Sequence, residues 1–483
     1  MQDIKKNISK IRELNEEKKR INRQKSRLTQ RVKELEESRE NWKAKSKNYL
    51  EELRVHKKLL EKAERTKSVN LGKNPKGYHY SSTIIFLAII VRTCCNCSLR
   101  GCSKLIEILN DLLDLSLPRV PSASSIYYWE CKIGYNRIRK KPEKKEKWVL
   151  MIDESISIAS QRILLLLGCR VSDYGFDRPL NFKDISVLWL GVDRSWTELC
   201  IGEQIRKLKE QGYEFVNGVS DGGSAIVKAL KVSGLDYVSD CTHYLGNLLK
   251  NQYKKTEDFK EFSSLCGQLK KEIMNGSHYY LVPPSQRTKG RFLNLFELSD
   301  WSYCMMKTLQ NQEEKEVSNK AIIKLRKILK YEDLIEQIYK QCQTLKQIFK
   351  KLKTKGLSEK SQKEVEEILL KSQANDYFKK GVNQYLADNV KPGKCLICST
   401  DILESLFGKF KNRLSKNKMN GFGLSCLAMA NMNEDFTVIK TLEGMESVKM
   451  KDLEWWAKNH LPPNSLSARR KWLKNARRNF QRA

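Results

Sequence analysis

Hydrophobic residues recur with a seven-residue period over residues 1–68, a segment that contains neither Gly nor Pro, and this pattern predicts one long helix. The apolar seam comprises Leu14, Ile21, Leu28, Leu35, Trp42 and Tyr49. The companion heptad positions mix apolar residues with Lys and Arg, and charges at core positions weaken a coiled coil. The pattern predicts a weak coiled coil with a partner helix. A single basic helix lying on DNA or on its own protein would have the same pattern.

Residues 78–140 carry three short helical patterns. They cover Ser82 to Thr93, Ser98 to Leu115, and a segment that opens at Pro121 and contains Tyr127, Tyr128, Trp129, Lys132 and Arg137. Three short helices with an aromatic and basic third member are typical of a helix-turn-helix DNA-binding module. Ordinary packing between helices accounts equally well for the pattern, so the sequence leaves both interpretations open.

From Trp148 onward the hydrophobic residues form short runs of strand length. The predicted strands are Trp148 to Ile152, Gln161 to Val171, Asp184 to Asp193, Glu214 to Ser220 and Tyr237 to Ser239, with helices at Trp196 to Gly212 and His243 to Lys250. Three strands before the first helix do not form a repeating strand–helix–strand unit. The order is that of an RNase H-like fold, in which an antiparallel trio precedes parallel strands, and we place its first part at residues 147–250.

The rest of the chain has no further strand pattern. Residues 251–395 are rich in Lys, Gln and Leu and predict an all-helical insertion, so the fold class is mixed, with α+β and α/β features. Residues 396–435 contain a final core helix from Ser399 to Leu414, whose start has Ser, Thr and Asp as capping residues. Residues 436–483 end in a basic tail, which includes Arg469, Arg470 and Lys471 and suits contacts with phosphates.

The net charge of the chain indicates the kind of molecule that it binds. The 483 residues include 91 Lys and Arg against 57 Asp and Glu, a formal charge of +34, which favours a polyanion such as nucleic acid. No apolar run approaches the roughly 18–20 residues of a membrane span, and no secretory signal opens the chain, so we expect a cytoplasmic protein with no membrane partner. The fourteen cysteines lack two pairs at zinc-finger spacing, and buried thiols are favoured over zinc.

Two aspartates stand where hydrophobic strands end. Asp153 closes the first predicted strand and Asp221 follows the fourth, and these strands are neighbours in an RNase H-like sheet. Phosphodiester hydrolysis and strand transfer use two divalent ions held by carboxylates, and Mg²⁺ prefers such hard oxygen ligands. Aspartates at strand ends also serve as turn or N-cap residues, and this simpler role stays open.

Four stretches make the chain resemble a DDE transposase of the prokaryotic insertion-sequence type. They are VLMIDES around Asp153, NGVSDGGSAIVKAL around Asp221, SDCTHYLGNLLK from Ser239 to Lys250, and STDILESLFGKFKNR around Glu404. The resemblance implies that Asp153, Asp221 and Glu404 hold Mg²⁺, with Mn²⁺ as a substitute. It implies a DNA transposase that cuts and joins double-stranded DNA at element ends and target, acts as a dimer or higher homo-oligomer, and lies on the nucleoid of a prokaryote.

The same resemblance suggests further DNA contacts. Lys409, Lys411 and Arg413 follow Glu404 and would face DNA, and Trp301 in the insertion would stack on a flipped base. His243 stands one residue closer to Cys241 than in the Cys/His motif of hAT and Mutator-like transposases, so it either touches the scissile strand or is a packed histidine. Asp240 competes with Asp221 as the second acid; the longer strand before Asp221 and the glycines after it favour Asp221.

Two other functions fit the same residues. An RNase H-fold nuclease that selects DNA structures would use the same acids, but the predicted helical module and basic tail favour binding to particular ends. A catalytically inactive DNA-binding protein derived from a transposase is the second alternative. A binding protein has no use for three converging carboxylates, so an intact triad argues against it.

Overall fold

The computed structural model describes residues 72–142, 146–156, 161–284, 293–311, 320–413, 422–432 and 436–462, apart from 114, 116, 118 and 277, together with scattered positions between 32 and 54 and residue 473. Of residues 156, 293 and 294 only the backbone is described. The chain divides into two compact units: residues 1–72 with 104–120, and residues 73–103 with 121–483.

In the first unit, every described position between 32 and 54 is helical, which agrees with the predicted long helix. Two members of the apolar seam, Leu35 and Trp42, are 60% and 68% exposed. Leu14, Ile21, Leu28 and Tyr49 lie outside the described residues. The part of the seam that the structure describes is therefore solvent-accessible on the surface of this chain.

The second unit contains one five-stranded mixed sheet. Its strands are β1 (Lys147–Ile156), β2 (Arg162–Arg170), β3 (Ile185–Asp193), β4 (Glu214–Ser220) and β5 (Tyr237–Ser239). They lie in the order β3-β2-β1-β4-β5. The pairs β1–β2 and β2–β3 are antiparallel, whereas β1–β4 and β4–β5 are parallel. This sheet is compatible with an RNase H-like core, and all five strands lie within two residues of the predicted starts.

Helices make up most of the described residues. Those before the sheet are α1 (Ser82–Cys94), α2 (Leu99–Leu113) and α3 (Ala123–Arg139), and those between strands are α4 (Glu198–Glu210) and α5 (Ser224–Val232). After β5 come α6 (Cys241–Tyr253), α7 (Glu257–Ile273), α8 (Leu293–Gln310), α9 (Lys320–Leu325), α10 (Glu332–Lys355), α11 (Glu359–Lys371) and α12 (Asp376–Asn389). The last three are α13 (Asp401–Arg413), α14 (Val438–Ser447) and α15 (Met450–His460).

Alternation along β1 assigns its side chains to two different cores. Trp148, Leu150 and Ile152 pack with apolar residues of α4 and α5 on one face of the sheet. Val149 and Met151 belong to the larger core on the other face, which includes residues of α6 and α13. Because side chains of a strand alternate between faces, Asp153 lies on the same face as Met151, α6 and α13. The fold thus brings β1 and α13 together although more than 240 residues separate them in sequence.

Helix α3 differs from the predicted DNA-reading helix. Its Trp129 and Ile133 are buried, and the helix packs against the 3₁₀ segment Leu424–Asn431 and against α14. A Cβ atom on Gly134 would lie 2.0 Å from the carbonyl oxygen of Leu427, so the two backbones touch at this position. Trp129 and, in part, Tyr127 therefore help to form the core of the second unit, whereas Tyr128 is exposed.

The basic residues of α3 are also used within the chain. Lys132 donates a hydrogen bond of 2.5 Å from Nζ to the Tyr78 hydroxyl, and Arg137 donates one of 3.2 Å to the carbonyl oxygen of Ala430. The segment predicted as a separate module at residues 78–140 is instead divided, since α1 and α3 belong to the unit that contains the sheet. Lys132 and Arg137 are therefore engaged within this unit, and DNA binding by residues 78–140 stays a prediction.

The described residues between β5 and α13 form helices and short 3₁₀ segments, with one isolated β-bridge between Leu357 and Leu396. Helix α12 covers the outer edge of β5: the Asn389 Oδ1 accepts a hydrogen bond of 2.8 Å from the Ser239 N–H. The Tyr385 hydroxyl donates one of 2.9 Å to the Ser239 carbonyl. Within the described parts of the chain, no helix is long and apolar enough to cross a membrane.

Candidate active site

Asp153 and Asp221 lie side by side toward the carboxyl ends of the parallel strands β1 and β4. The parallel pairing of β1 with β4 ends at Ile152 and Ser220, immediately before the two aspartates. Neighbouring strands lie about 4.8 Å apart, so the two residues are neighbours across the sheet. Asp153 is only 4% exposed, and its Oδ1 accepts a hydrogen bond of 2.7 Å from the Glu154 N–H. Asp221 is exposed, and its Oδ1 accepts one of 3.1 Å from the Gly223 N–H.

Asp240, the rival for the second acid, follows the adjacent strand β5 and is fully buried. It is the N-cap of α6, where its Oδ1 accepts a hydrogen bond of 2.7 Å from the His243 N–H. Its Oδ2 accepts hydrogen bonds from the Thr400 N–H and, at 2.6 Å, from the Thr400 hydroxyl. Both oxygens are therefore engaged in fixing the start of α6 to the segment that leads into α13.

Burial by itself raises the pKa of the Asp240 carboxyl, because it disfavours the charged form. The hydrogen bonds and positive charge of His243, together with the Thr400 hydroxyl, outweigh burial and hold that pKa below its usual value. A charged Asp240 is the form that accepts all of these hydrogen bonds. We therefore assign Asp240 to anchoring the approach to α13.

His243 joins Asp240 to Glu404. Its Nδ1 lies 3.3 Å from the Asp240 Oδ1, and its Nε2 lies 3.3 Å from the Glu404 Oε1. The histidine is thus neither remote from the site nor buried in an apolar core. Only one residue separates Cys241 from His243, whereas two residues separate Asp240 from His243. An aspartate N-cap with a histidine three positions later was the signal that could have identified this pair.

The three predicted acids are not assembled as a triad. Among the residues that the structure describes, no three His, Cys, Asp or Glu side chains are grouped closely enough to hold a metal ion. Glu404 contacts His243, while Asp153 and Asp221 lie where the pairing of β1 with β4 stops. The donor chemistry nevertheless fits Mg²⁺, because two neighbouring carboxylates supply hard oxygens and Asp221 is open to solvent.

Helix α13 carries Glu404 and the basic residues predicted to face DNA. Lys411 is exposed. The Lys409 Nζ lies 3.6 Å from the centre of the Phe182 ring, a cation–π distance. Arg413 differs from the prediction, because its side chain is only 4% exposed. Its Nη1 lies 3.0 Å from the Glu130 Oε1, and its Nη2 donates to the carbonyl oxygens of Arg92 and Thr93.

Arg413 is one member of a buried ionic cluster that consists of Arg92, Glu130 and Arg413. The Arg92 Nη2 lies 3.4 Å from the Glu130 Oε2, and the Glu130 side chain is 3% exposed. The cluster joins α1, α3 and the end of α13 inside one unit. Burial lowers the pKa of the Arg413 guanidinium, and the negative charge of Glu130 opposes this effect. This arginine is therefore enclosed within the fold and is not placed to contact DNA.

Trp301 lies on α8 within the insertion. It is half-buried and packs against the larger core, and its Nε1 is buried without a hydrogen-bond partner among the described atoms. The preceding residue, Asp300, accepts hydrogen bonds from Gln343 and Lys346 of α10. Helix α8 is thereby fixed to α10, and the stacking of Trp301 on a base stays a prediction. Arg469, Arg470 and Lys471 lie outside the described residues.

The cysteines behave as separate thiols in the described structure. Cys241 and Cys398 are buried; a hydrogen bond with Cys398 and then burial raise the pKa of the Cys241 thiol well above its usual value. Burial also raises the pKa of Cys102 to about 11. Thiols with raised pKa values are poor metal ligands and poor nucleophiles.

No protein-family model matches this sequence, and no curated protein matches it. Among solved structures, the chain is similar to one described as the Drosophila P element transposase strand transfer complex, with a TM-score of 0.39 and 14% sequence identity. The match covers 80% of this chain and 99% of that chain. A likeness this distant identifies no family, so the function has to be inferred from the residues of this chain.

Proposed function

We propose that this protein is a DNA transposase that binds the ends of a mobile element, cuts the strands there and joins them to target DNA. The observation that carries the proposal is the placement of the acids. Asp153 and Asp221 follow the last paired residues of the neighbouring parallel strands β1 and β4, in a sheet with the order of an RNase H-like core. Glu404 returns to the same face of that sheet on α13, after a helical insertion.

In this proposal Asp153 and Asp221 hold the metal beside the carboxyl ends of β1 and β4. The Glu404 carboxylate breaks its contact with His243 and becomes the third ligand. Bound Mg²⁺ would activate the attacking oxygen and stabilise the leaving oxygen of the phosphodiester. The attacking oxygen belongs to water during cleavage and to the freed 3′-hydroxyl during joining. The protein itself positions the carboxylates: Asp240 fixes the segment before α13, and His243 holds the Glu404 carboxylate near the sheet.

A second copy of this chain is the protein partner that we propose. Joining two element ends needs two active sites, and the described part of the N-terminal helix exposes Leu35 and Trp42 on its heptad seam. Pairing of two such helices would cover these side chains. The mixed polar positions of the companion seam limit the strength of that pairing.

The direct test uses the full chain and duplex DNA amplified from both sides of its coding sequence, with Mg²⁺ and with a chelator. The expected result is Mg²⁺-dependent strand cleavage at defined positions in both flanks, followed by joining to a target plasmid with short direct duplications. Cleavage of branched DNA without joining would favour the structure-selective nuclease. Binding to both flanks without any cleavage would favour the inactive DNA-binding protein.

The basic tail gives a separate prediction about affinity. Neutralising Arg469, Arg470, Lys471, Lys474, Arg477 and Arg478 should weaken binding to all duplexes about equally, because phosphates carry no base identity. The plot of log affinity against log salt should flatten by about 0.9 unit for each phosphate that the tail no longer neutralises. Fluorescence anisotropy over a salt series measures this slope.

A matched control for the tail uses lysines that already have carboxylate partners. Lys260 and Lys330 form ion pairs with Glu257 and Glu261, so changing both lysines to Gln should leave the salt slope unchanged. A tail variant with the slope of the unmodified chain would show that the tail does not bind DNA.

A further inference from the structure

Three lysines near the end of α10, in the insertion, form ion pairs in two different directions. Lys351 and Lys355 are four residues apart and share one face of the helix, where both pair with the Glu364 carboxylate of α11. Lys353 lies between them in sequence and therefore on the opposite face. Its Nζ pairs with the Oδ2 of Asp401, the first residue of α13. The first two lysines thus connect helices within the insertion, whereas Lys353 connects the insertion to the helix of the proposed third acid.

The pair between Lys353 and Asp401 is partly shielded from water. The two side chains are 23% and 40% exposed, so solvent screens their charges less than on an open surface. The Lys353 Nζ also lies 4.8 Å from the centre of the Phe349 ring. Burial by itself lowers the pKa of Lys353, but Asp401, Cys241 and Asp240 outweigh burial and hold that pKa above its usual value. The ammonium is therefore a permanent charge where α6 and α13 both begin.

Backbone contacts hold the segment before α13 against the same end of α10. Leu357 and Leu396 exchange two backbone hydrogen bonds, of 2.8 and 2.9 Å, and the Cys398 Sγ lies 3.6 Å from the carbonyl oxygen that it faces, that of Leu352. On the other side of the segment, the Cys241 N–H donates a hydrogen bond of 2.8 Å to the Cys398 carbonyl. The start of α13 is thus held between the insertion and α6.

We infer that Lys353 is a positioning residue of the proposed active site, which fixes the first turn of α13 and thereby the Glu404 carboxylate. The inference rests on the proposed function, because it concerns the third acid of that site. Asp401 and Glu404 are three residues apart and neighbour each other on the helix surface. Without the ammonium, Asp401 loses its ion pair and the first turn loses one of its attachments. Residues that orient metal ligands typically change metal affinity or activity about 10–100-fold when they are substituted.

The test uses variants of the full chain that differ in charge at this junction. Lys353→Met removes the charge and keeps an unbranched chain over Phe349. Lys353→Arg keeps the charge, and a cavity of about 50 Å³ beside Lys353 and Asp401 gives a guanidinium room. Lys351→Met is the matched control, because it removes an ion pair of the same helix that stays within the insertion. Thermal unfolding followed by circular dichroism shows whether each variant is folded.

Binding of Mn²⁺ alone, measured by calorimetry without DNA, is a readout that does not need cleavage. Lys353→Met should bind Mn²⁺ about tenfold or more weakly, whereas Lys353→Arg and Lys351→Met should bind it as the unmodified chain does. In cleavage of the flanking duplexes, Lys353→Met should need correspondingly more Mg²⁺ to reach half of its maximal rate. Its affinity for the same duplexes without metal should not change, because the ammonium is already paired within the chain.

Asp401→Asn removes the other half of the pair and should weaken Mn²⁺ binding equally, which keeps the test valid if Lys353→Met does not fold. If folded Lys353→Met has the Mn²⁺ affinity and the Mg²⁺ requirement of the unmodified chain, the inference is overturned while the proposed function stands. Equal weakness of Lys353→Arg and Lys353→Met would also overturn it, because the charge would then not position the helix. If no chain cleaves but Lys353→Met binds Mn²⁺ more weakly than Lys351→Met, the positioning role is supported and the proposed transposase activity fails.

Discussion

Asp153→Asn is expected to abolish strand cleavage and strand joining, with a loss of about a thousandfold or more, while binding to DNA is largely kept. The substitution preserves the size of a side chain that is almost completely buried, so the sheet should remain intact. It removes the negative charge that would hold the metal beside Asp221. Affinity for DNA depends mainly on Lys and Arg contacts with phosphates, and the substitution does not change those.

Glu404→Gln should cause the same loss, because its carboxylate is the third acid of the proposed site. The measurement is the single-turnover rate of cleavage of the flanking duplexes with Mg²⁺, together with the dissociation constant for the same duplexes. Asp236→Asn is the matched control. Asp236 precedes β5 at the opposite edge of the sheet and forms an exposed ion pair with Lys394. Full activity of Asp153→Asn or of Glu404→Gln would exclude that residue from the site.

Glu130→Leu is expected to lower the free energy of unfolding by about 3–5 kcal/mol, because it leaves two buried guanidinium groups without their shared carboxylate. Glu130 is 3% exposed and lies between Arg92 and Arg413. Its removal should release the end of α13 from α1 and α3. The midpoint of urea denaturation, followed by circular dichroism, measures the effect.

The control for this substitution is an ion pair on the surface. Glu203 pairs with Arg206 on the exposed side of α4, where water screens the charges, so Glu203→Gln should change the denaturation midpoint little. Equal midpoints for the Glu130 and Glu203 variants would show that the buried cluster contributes no stability. A cooperative transition is needed for the comparison, since the chain contains two compact units.

The sequence alone determined the elements of the sheet and their order. Strand-length apolar runs and turn residues are local signals, and they predicted β1 to β5 because the hydrophobic pattern repeats along each element. The same reasoning placed Asp153 and Asp221 side by side, and the structure has them as neighbours, although β1 continues beyond Asp153 to Ile156. Capping residues before Glu404 predicted its helix, and the structure places that helix, α13, on the face of the sheet that carries Asp153.

Only the tertiary structure decided which partners the polar side chains have. The pattern of α3 shows a helix with aromatic and basic residues, but a helical pattern does not reveal what covers it. Its partner is a segment about 300 residues away, and Glu130 meets Arg413 across 283 positions. The sequence leaves Asp240 as a rival of Asp221 for the second acid, and the structure shows the Asp240 carboxylate accepting a hydrogen bond from Thr400. Such contacts join residues far apart in sequence. The spacing of hydrophobic residues along the chain predicts local elements, but it does not predict which distant residues are in contact.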